Sequence, residues 1–163
     1  MFPTSNVPAP VSLRAMEEAL VRAMEIAHPQ LEVVPFPGRP EDWRFVHAIG
    51  SILVRFHGRS FSQSHALEAI VQVQTPSWYL MTYSRNLREH QGAYEILDTT
   101  LQAIKGFRIP GCDKLYPTGD SFVQEKDGVW VFESTFTAST LSVESLYTDP
   151  GAPLAGIVPD WLR

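Results

Sequence analysis

The sequence predicts an α+β fold, in which a mixed, largely antiparallel sheet carries two helices packed on one face. Apolar residues recur at helical spacing in two separated segments, and apolar or alternating runs of strand length fill the chain between and after them. The predicted order of elements is α-β-β-β-β-α-β-β. Such an order gives one layer of sheet and one layer of helices.

The first helix is predicted from Ser12 to His28, where Pro29 ends its pattern. Its apolar stripe consists of Leu13, Met16, Leu20, Ala23 and Ala27. The following "LEVVPF" is typical of a short strand, and Pro35 places that strand at an edge or ends it, because proline lacks the N–H that a ladder needs. "PGRPEDWRF" is predicted to be a loop that has room for a turn of helix.

Three more strands are predicted before the second helix. The first begins at Ser51 with "SILVRFHG", and the second covers residues 67–74, where apolar and polar side chains alternate. "TPS" is interpreted as a turn. The third, Trp78 to Ser84, is apolar on both faces in its middle, as expected of a strand in the centre of the sheet.

The second helix has two possible starts. Asn86 and Glu89 resemble a capping box, which favours a start near Asn86; alternatively, the helix begins close to Gly92 and "NLREHQ" is a shaped loop. Its buried stripe consists of Tyr94, Leu97, Leu101 and Ile104. Gly106 suits a left-handed cap at the other end, and Pro110 prevents the helix from resuming.

Residues 121–126 and 128–140 are predicted to form a hairpin around "KDG", a sequence suited to a tight turn. The core face of the second strand consists of Trp130, Phe132, Phe136 and Ala138. "WYLMTY" and "VWVFESTF" carry more apolar residues than one helical layer easily covers. We therefore expect a second cover for the sheet, and another subunit is one candidate.

We expect one domain at residues 11–144, an N-terminal arm at 1–10 and an extended C-terminal arm at 145–163. Both arms are rich in proline, which keeps them from extending the sheet, yet they carry large apolar residues. These residues are Phe2, Tyr147, Leu154, Ile157, Val158, Trp161 and Leu162. The arms are expected to dock on an apolar surface of a partner or, alternatively, to fold back over their own domain.

Composition excludes several classes of protein. With 163 residues, 44% of them hydrophobic, the chain can bury a core without disulfides or a structural metal. The single Cys112 favours a reducing compartment, and no segment has the apolar run of a membrane span or the pattern of a signal peptide. A net charge of -5 with scattered arginines disfavours tight binding to a phosphate backbone.

No motif predicts a catalytic residue, a cofactor or a metal site. Phosphate-binding loops, "GxSxG" and "HExxH" are absent, and the five histidines fall in separate elements. Cys112 is expected to be an inert thiol. Glu133, inside a strand, is the most suggestive carboxylate for hydrolase or nuclease chemistry, although a solvent-side strand residue is the alternative. We therefore expect a protein that is not an enzyme.

Several segments together resemble the gene-product thirty-seven family of Mu-like phages and prophages. They are "LRAMEEALVRAM", "ILVRFHG", the stretch from Tyr83 to Pro117, and "FVQEKDGVWVFESTFTAST". The most distinctive part is the pair of motifs "RNL" and "GAY" at the entry to the second helix, with Gly106 and Phe107 at its exit. The resemblance covers about residues 12–144.

That family is similar to the tail terminators of long-tailed phages. The resemblance implies a structural protein of the virion tail or neck, assembled in the host cytoplasm, whose subunits form a homohexameric ring on the tail tube and stop its polymerisation. The ring would also join the neck or head connector and, in contractile tails, the sheath. DNA would pass through it without specific binding, and no membrane would take part. The source would be a phage, a prophage or a headless contractile particle.

The interface residues are predicted in two places. At the start of the second helix, Arg85, Arg88, Gly92 and Tyr94 are expected to contact an adjoining subunit, with the arginines pairing to its carboxylates and the glycine admitting another backbone. The alternative is that Gly92 serves local backbone geometry alone. In the C-terminal arm the predicted interface residues are Tyr147, Leu154, Ile157 and Trp161.

Other functions remain open at this point. Another neck adaptor, such as a stopper or connector, is the nearest alternative because it too forms rings. A small hydrolase or nuclease, or a ligand-binding module, would need clustered carboxylates or a pocket, for which the sequence has no signature.

Overall fold

A computed structural model describes residues 11–64 and 68–144. Within these residues the chain forms two α-helices, a short 3-10 helix and six strands of one sheet. In chain order the elements are α1 (Leu13–Ala27), β1 (Glu32–Pro35), the 3-10 helix (Pro40–Asp42), β2 (Gly50–Phe61), β3 (Val71–Ser84), α2 (Ala93–Ile104), β4 (Tyr116–Lys126), β5 (Val129–Thr137) and β6 (Thr140–Val143). Neither α-helix in this part of the chain is both long and apolar enough to cross a membrane.

The sheet is mixed, with the strand order β1-β2-β3-β5-β4. β1 runs parallel to β2, and the other neighbouring strands are antiparallel. The short β6 pairs with the first part of β3, Val71 to Gln74, and so lies in line with β5 beside the same strand. The predicted α+β class is confirmed, including the edge position of the strand that ends at Pro35.

Both helices cover the same face of the sheet. Alternate residues of β3 from Pro76 to Ser84 are buried and the residues between them are only partly buried, as expected when one face is covered more fully. The core joins side chains of both helices to side chains of the sheet. Its members include Met16, Leu20, Met24, Ile52, Val54, Trp78, Leu80, Ile96, Ile104 and Phe136.

Local sequence signals explain the ends of both helices. At the start of α1 the Ser12 hydroxyl accepts a hydrogen bond of 3.1 Å from the Ala15 amide, which satisfies one of the free N–H groups of the first turn. After α2 comes Gly106 with a φ of 85°, the left-handed conformation predicted for it. The Phe107 amide then donates to the Ile104 carbonyl at 2.8 Å, and Phe107 packs on the core.

The tight turn at "KDG" is confirmed. Asp127 and Gly128 have φ values of 52° and 78°, the two positive values that a type I′ hairpin requires. The hairpin is longer at its open end than predicted, because β4 begins at Tyr116.

The prediction of separate strands at 67–74 and 78–84 is wrong, because residues from Val71 to Ser84 form one strand. Pro76 lies between the part of β3 that pairs with β6 and the part that pairs with β5, and its carbonyl accepts from the Ala138 amide on that side at 3.1 Å. The N–H that proline lacks would therefore point to the junction between two partner strands, where it interrupts no continuous ladder. The last predicted strand is instead divided into β5 and β6, so the order is α-β-β-β-α-β-β-β.

Candidate interaction surfaces

The loop before α2 is folded onto its own domain. Arg85 donates from Nε to the His47 carbonyl at 2.8 Å, and its guanidinium lies 4.6 Å from the centre of the Phe45 ring. These contacts join the end of β3 to the segment after the 3-10 helix. Arg85 is exposed and makes these contacts within its own chain, and its predicted contact with an adjoining subunit stays a prediction.

Gly92 is the N-cap of α2 and is buried. A β-carbon at this position would lie 2.2 Å from Asn86 Oδ1 and 2.8 Å from the Glu89 carbonyl oxygen, so the preceding loop occupies the space that a side chain would need. This crowding favours the local alternative for Gly92, and a contact of Gly92 with another subunit stays a prediction. The second of the two predicted helix starts, close to Gly92, is the one observed.

Arg88 and Tyr94 lie on the surface beside an aromatic cluster. The Arg88 guanidinium is 5.7 Å from the centre of the Tyr94 ring, and Tyr94 is 45% exposed. The Tyr94 ring lies 6.4 Å from Phe132, which in turn is 5.6 Å from Phe122. Phe122 also lies 6.1 Å from Trp130. We call Tyr94, Phe122, Trp130 and Phe132 the aromatic patch.

The aromatic patch is exposed because the β4–β5 hairpin extends beyond the helical cover. The outer strand β4 has no buried residue, and Phe122 is 56% exposed. Phe132 pairs with Thr82 and Trp130 pairs with Ser84, at the C-terminal end of β3. Both side chains lie on the face that the helices occupy. The sequence correctly predicted that Phe132 and Trp130 lie on the core face of the sheet. It did not predict that both side chains are only partly buried.

The opposite face of the sheet, which we call the open face, has a local cover at one end. The Tyr83 ring lies 4.8 Å from Trp43 and 5.8 Å from Phe45, so the segment after the 3-10 helix folds over the end of β3. Leu53 on this face is fully buried. The second cover expected for the sheet is therefore supplied in part by the chain itself.

The middle of the open face is polar and aromatic. The Arg55 guanidinium lies 5.3 Å from the Phe36 ring and 5.0 Å from the Tyr79 ring, and it approaches the Glu133 carboxylate at 4.0 Å. His57 stacks on Tyr79 at 4.0 Å, and its Nε2 forms a 3.0 Å hydrogen bond with the Tyr79 hydroxyl. These contacts assign Glu133 to a weak, partly solvated ion pair.

At the far end of the open face is a second apolar surface. Leu141 faces Val73 across the β3–β6 ladder, and Val143 faces Val71, so that all four side chains point to the open face. Leu141 is 69% exposed and Val143 is 48% exposed. We call Val71, Val73, Leu141 and Val143 the aliphatic patch. Sequence reasoning had no signal for it, because it depends on the pairing of two strands 70 residues apart.

The side chains considered for chemistry do not gather into a reactive site. Burial, and secondarily the neighbouring Asp113 charge, raise the pKa of the Cys112 thiol, which disfavours the thiolate that a nucleophile requires. His28 is buried in the core, where its Nε2 and the Thr100 hydroxyl form a 2.9 Å hydrogen bond. Among residues 11–64 and 68–144, His, Cys, Asp and Glu form no group of three or more that could bind a metal ion.

The predicted interface residues Tyr147, Leu154, Ile157 and Trp161 lie outside the residues that the structure describes, as do both predicted arms. The structure brings Arg88 and Tyr94 together at the aromatic patch. It places Arg85 on the neighbouring loop and Gly92 beneath it.

Comparisons with known proteins identify relatives at the level of family and fold. A model of the "Gp37 protein" family matches residues 20–158. A search of curated protein sequences finds no match. Among solved structures, a chain of the "Virion of native gene transfer agent (GTA) particle" is similar with a TM-score of 0.51 and 11% identity, over 80% of this chain and 96% of that chain. At this identity the likeness establishes a shared fold.

Proposed function

The chain belongs to the Gp37 family, and from this membership we propose that it is a structural, non-enzymatic protein of a phage or phage-derived particle. The observation that carries the proposal is the fold shared with a virion chain, which is covered over 96% of its length. Because a shared fold does not by itself determine function, the family membership and the exposed surfaces described above must support the proposal together with it.

Within such a particle, the proposed role is that of a tail terminator. Copies of the chain, six in a closed ring, cap the tail tube, stop its polymerisation and offer a joining surface to the neck or head connector and, in a contractile tail, to the sheath. DNA passes through the ring without specific binding, and the net charge of -5 agrees with that. The protein is assembled in the host cytoplasm and resides in the tail or neck of the particle.

Two exposed apolar surfaces on one domain support an assembly role. Soluble monomers rarely expose large contiguous apolar patches unless they bind a partner. Aromatic and arginine side chains are enriched at protein interfaces, and the aromatic patch combines them through Tyr94 and Arg88. For the arms at 1–10 and 145–163, the proposal is that the C-terminal one crosses to a neighbouring subunit or to the sheath through Tyr147, Leu154, Ile157 and Trp161.

Electron microscopy of particles from a host that lacks this gene tests the role. Overlong or ragged tubes without heads are expected if the protein terminates the tube. Tubes of normal length without heads would instead support a stopper or connector, and normal particles would contradict a structural role. Complementation with a chain that ends at Glu144 tests the arm in the same assay, because full rescue would show that residues 145–163 are not needed for assembly.

A further inference from the structure

The aromatic patch and the aliphatic patch lie at opposite ends of β3. The aromatic patch is paired to Thr82 and Ser84, whereas the aliphatic patch includes Val71 and Val73. About ten residues of strand, or roughly 33 Å, separate them. The aromatic patch is on the helical face and the aliphatic patch is on the open face, so one molecule cannot bring its own two patches together.

We propose that a second copy of this chain covers both patches, with the aromatic patch of one subunit packed on the aliphatic patch of the next. This deepens the proposed function, on which it depends for the existence of a ring. Each patch exposes large apolar side chains, Phe122 at 56% and Leu141 at 69%, and their contact would remove both from water.

Charge disfavours contact between two identical aliphatic patches, because that contact would bring carboxylates of the same sign together. Arg88 borders the aromatic patch, and it forms no ion pair with any residue in the described part of the chain. The aliphatic patch is bordered by Glu144, whose Oε2 accepts a 2.9 Å hydrogen bond from the Ile70 amide and keeps its other oxygen for a partner, and by the exposed Glu68 in the bend before β3. Asp120 and Glu125 on β4 make the rim of the aromatic patch mixed, so apolar contact supplies the association and Arg88 orients it.

Two edge strands, β4 and β1, are poorly suited to pairing with the strand of another chain. The exposed edge strand β4 contains Pro117, and its register shifts twice, between Pro117 and Gly119 and between Phe122 and Gln124. Proline and bulges are features that blunt an edge against pairing with another chain. At the other edge, β1 is only four residues long, ends in Pro35 and pairs with β2 only from Ser51 to Val54, so within the described residues the end of β2 has no partner strand on that side.

The arrangement has a consequence for symmetry. A contact between two different patches is heterologous, and repetition of a heterologous contact gives a ring when the rotation closes. A contact between two identical patches would instead give a twofold dimer and stop. The separation of the two patches thus favours a contact that can be repeated from copy to copy, of which a ring is the closed form.

A mixing experiment with two full-length variants tests the inference. Phe122→Asp disables the aromatic patch and Leu141→Asp disables the aliphatic patch, and both positions are exposed, so each variant should retain its fold, as checked by circular dichroism. Val46→Asp, at a position that is 75% exposed in a coil segment outside both patches, is the matched control. Native mass spectrometry reports the number of copies in each assembly.

The wild type and Val46→Asp are expected to form the same closed ring, while self-association of each patch variant weakens at least about 30-fold. An equal mixture of the two variants should give a dimer with one copy of each, because only one intact pair of patches remains, and nothing larger. Homodimers of either variant, a mixture without heterodimers, patch variants that assemble normally, or a wild type that never associates would overturn the inference.

The two proposals can fail separately. If tube length is controlled by this protein in particles but both patch variants still support normal tubes, the terminator role stands and the assigned surfaces are wrong. If the mixture forms the heterodimer but loss of the gene leaves tubes of normal length, the surfaces stand and the terminator role fails.

Discussion

The two parts of β3, residues 71–75 and 76–84, lie in one continuous strand but in different environments. From Pro76 to Ser84 every second side chain is buried under the helices, whereas from Val71 to Thr75 no side chain is fully buried. On the face toward the helices, the first part carries Gln72 and Gln74, whereas the second carries Trp78 and Leu80. The helices pack on the apolar side chains of Pro76–Ser84, and among the described residues Val71–Thr75 has as neighbouring strands only the short β6 and the end of β2.

This difference separates stability from assembly. In the covered half, apolar side chains contribute to the free energy of folding because they leave water when the monomer folds. In the projecting half, residues 71–75, the side chains of the aliphatic patch stay exposed to solvent until a partner binds. Their apolar area therefore contributes to the free energy of binding and not to that of folding. Substitutions in the two halves should therefore affect different measurements.

The largest expected effect is that of Trp78→Ala in the covered half. Trp78 is 1% exposed and packs on Phe56 with ring centres 5.3 Å apart. Its removal leaves a large cavity, and the free energy of unfolding should fall by about 3–5 kcal/mol in urea denaturation. Leu141→Ser, in β6 opposite Val73 of the projecting half, is the comparison variant and should change that free energy by less than about 0.5 kcal/mol. Similar losses in both variants would contradict the comparison.

A smaller loss is expected for Gly92→Ala. The added β-carbon meets Asn86 Oδ1 and the Glu89 carbonyl, so the loop before α2 must shift, at a cost of about 1–3 kcal/mol of unfolding free energy. Gly38→Ala is the control, since no atom lies within 4 Å of its added β-carbon. A stable Gly92→Ala monomer that no longer assembles would contradict the local role and support the subunit contact first expected for this glycine.

Signals confined to neighbouring residues were read correctly from the sequence. The left-handed Gly106 and the two-residue turn at Asp127 each depend on a few consecutive residues and appear as predicted. The fold class followed from the periods of the apolar residues. Pro76 misled the prediction because a proline ends a strand only where its missing N–H faces a partner, and the partners of a strand are not local information.

The candidate surfaces were predictable only in part. Periodicity assigned Trp130 and Phe132 to the helical face, but it reports the direction of a side chain and not the extent of the element that covers it. α2 is too short to cover the hairpin end, and that is a property of the whole fold. The aliphatic patch likewise requires the pairing of Val73 with Leu141, which no local pattern reveals.

The smallest expected effect is the pH dependence of the unfolding free energy that comes from His28, at the end of α1 under the helical cover. Burial lowers the pKa of His28 below its ordinary value of 6.5. The unfolded chain therefore binds a proton at this residue at a higher pH than the folded chain does. Stability should fall as the pH decreases below about 6.5, by at most about 1.4 kcal/mol per pH unit, until the lowered folded pKa is reached.

Denaturation of the wild type and His28→Gln across that range, analysed as a difference, isolates this contribution. Burial raises the pKa of Glu17, which has the opposite sign, but Glu17 is present in both proteins and cancels. The wild type should lose stability faster than His28→Gln as the solution becomes acidic, because glutamine takes up no proton. Parallel curves would mean that His28 accepts its proton in the folded state, which would require water to reach the contact between His28 and Thr100, and the helical cover would then be less complete than the packing indicates.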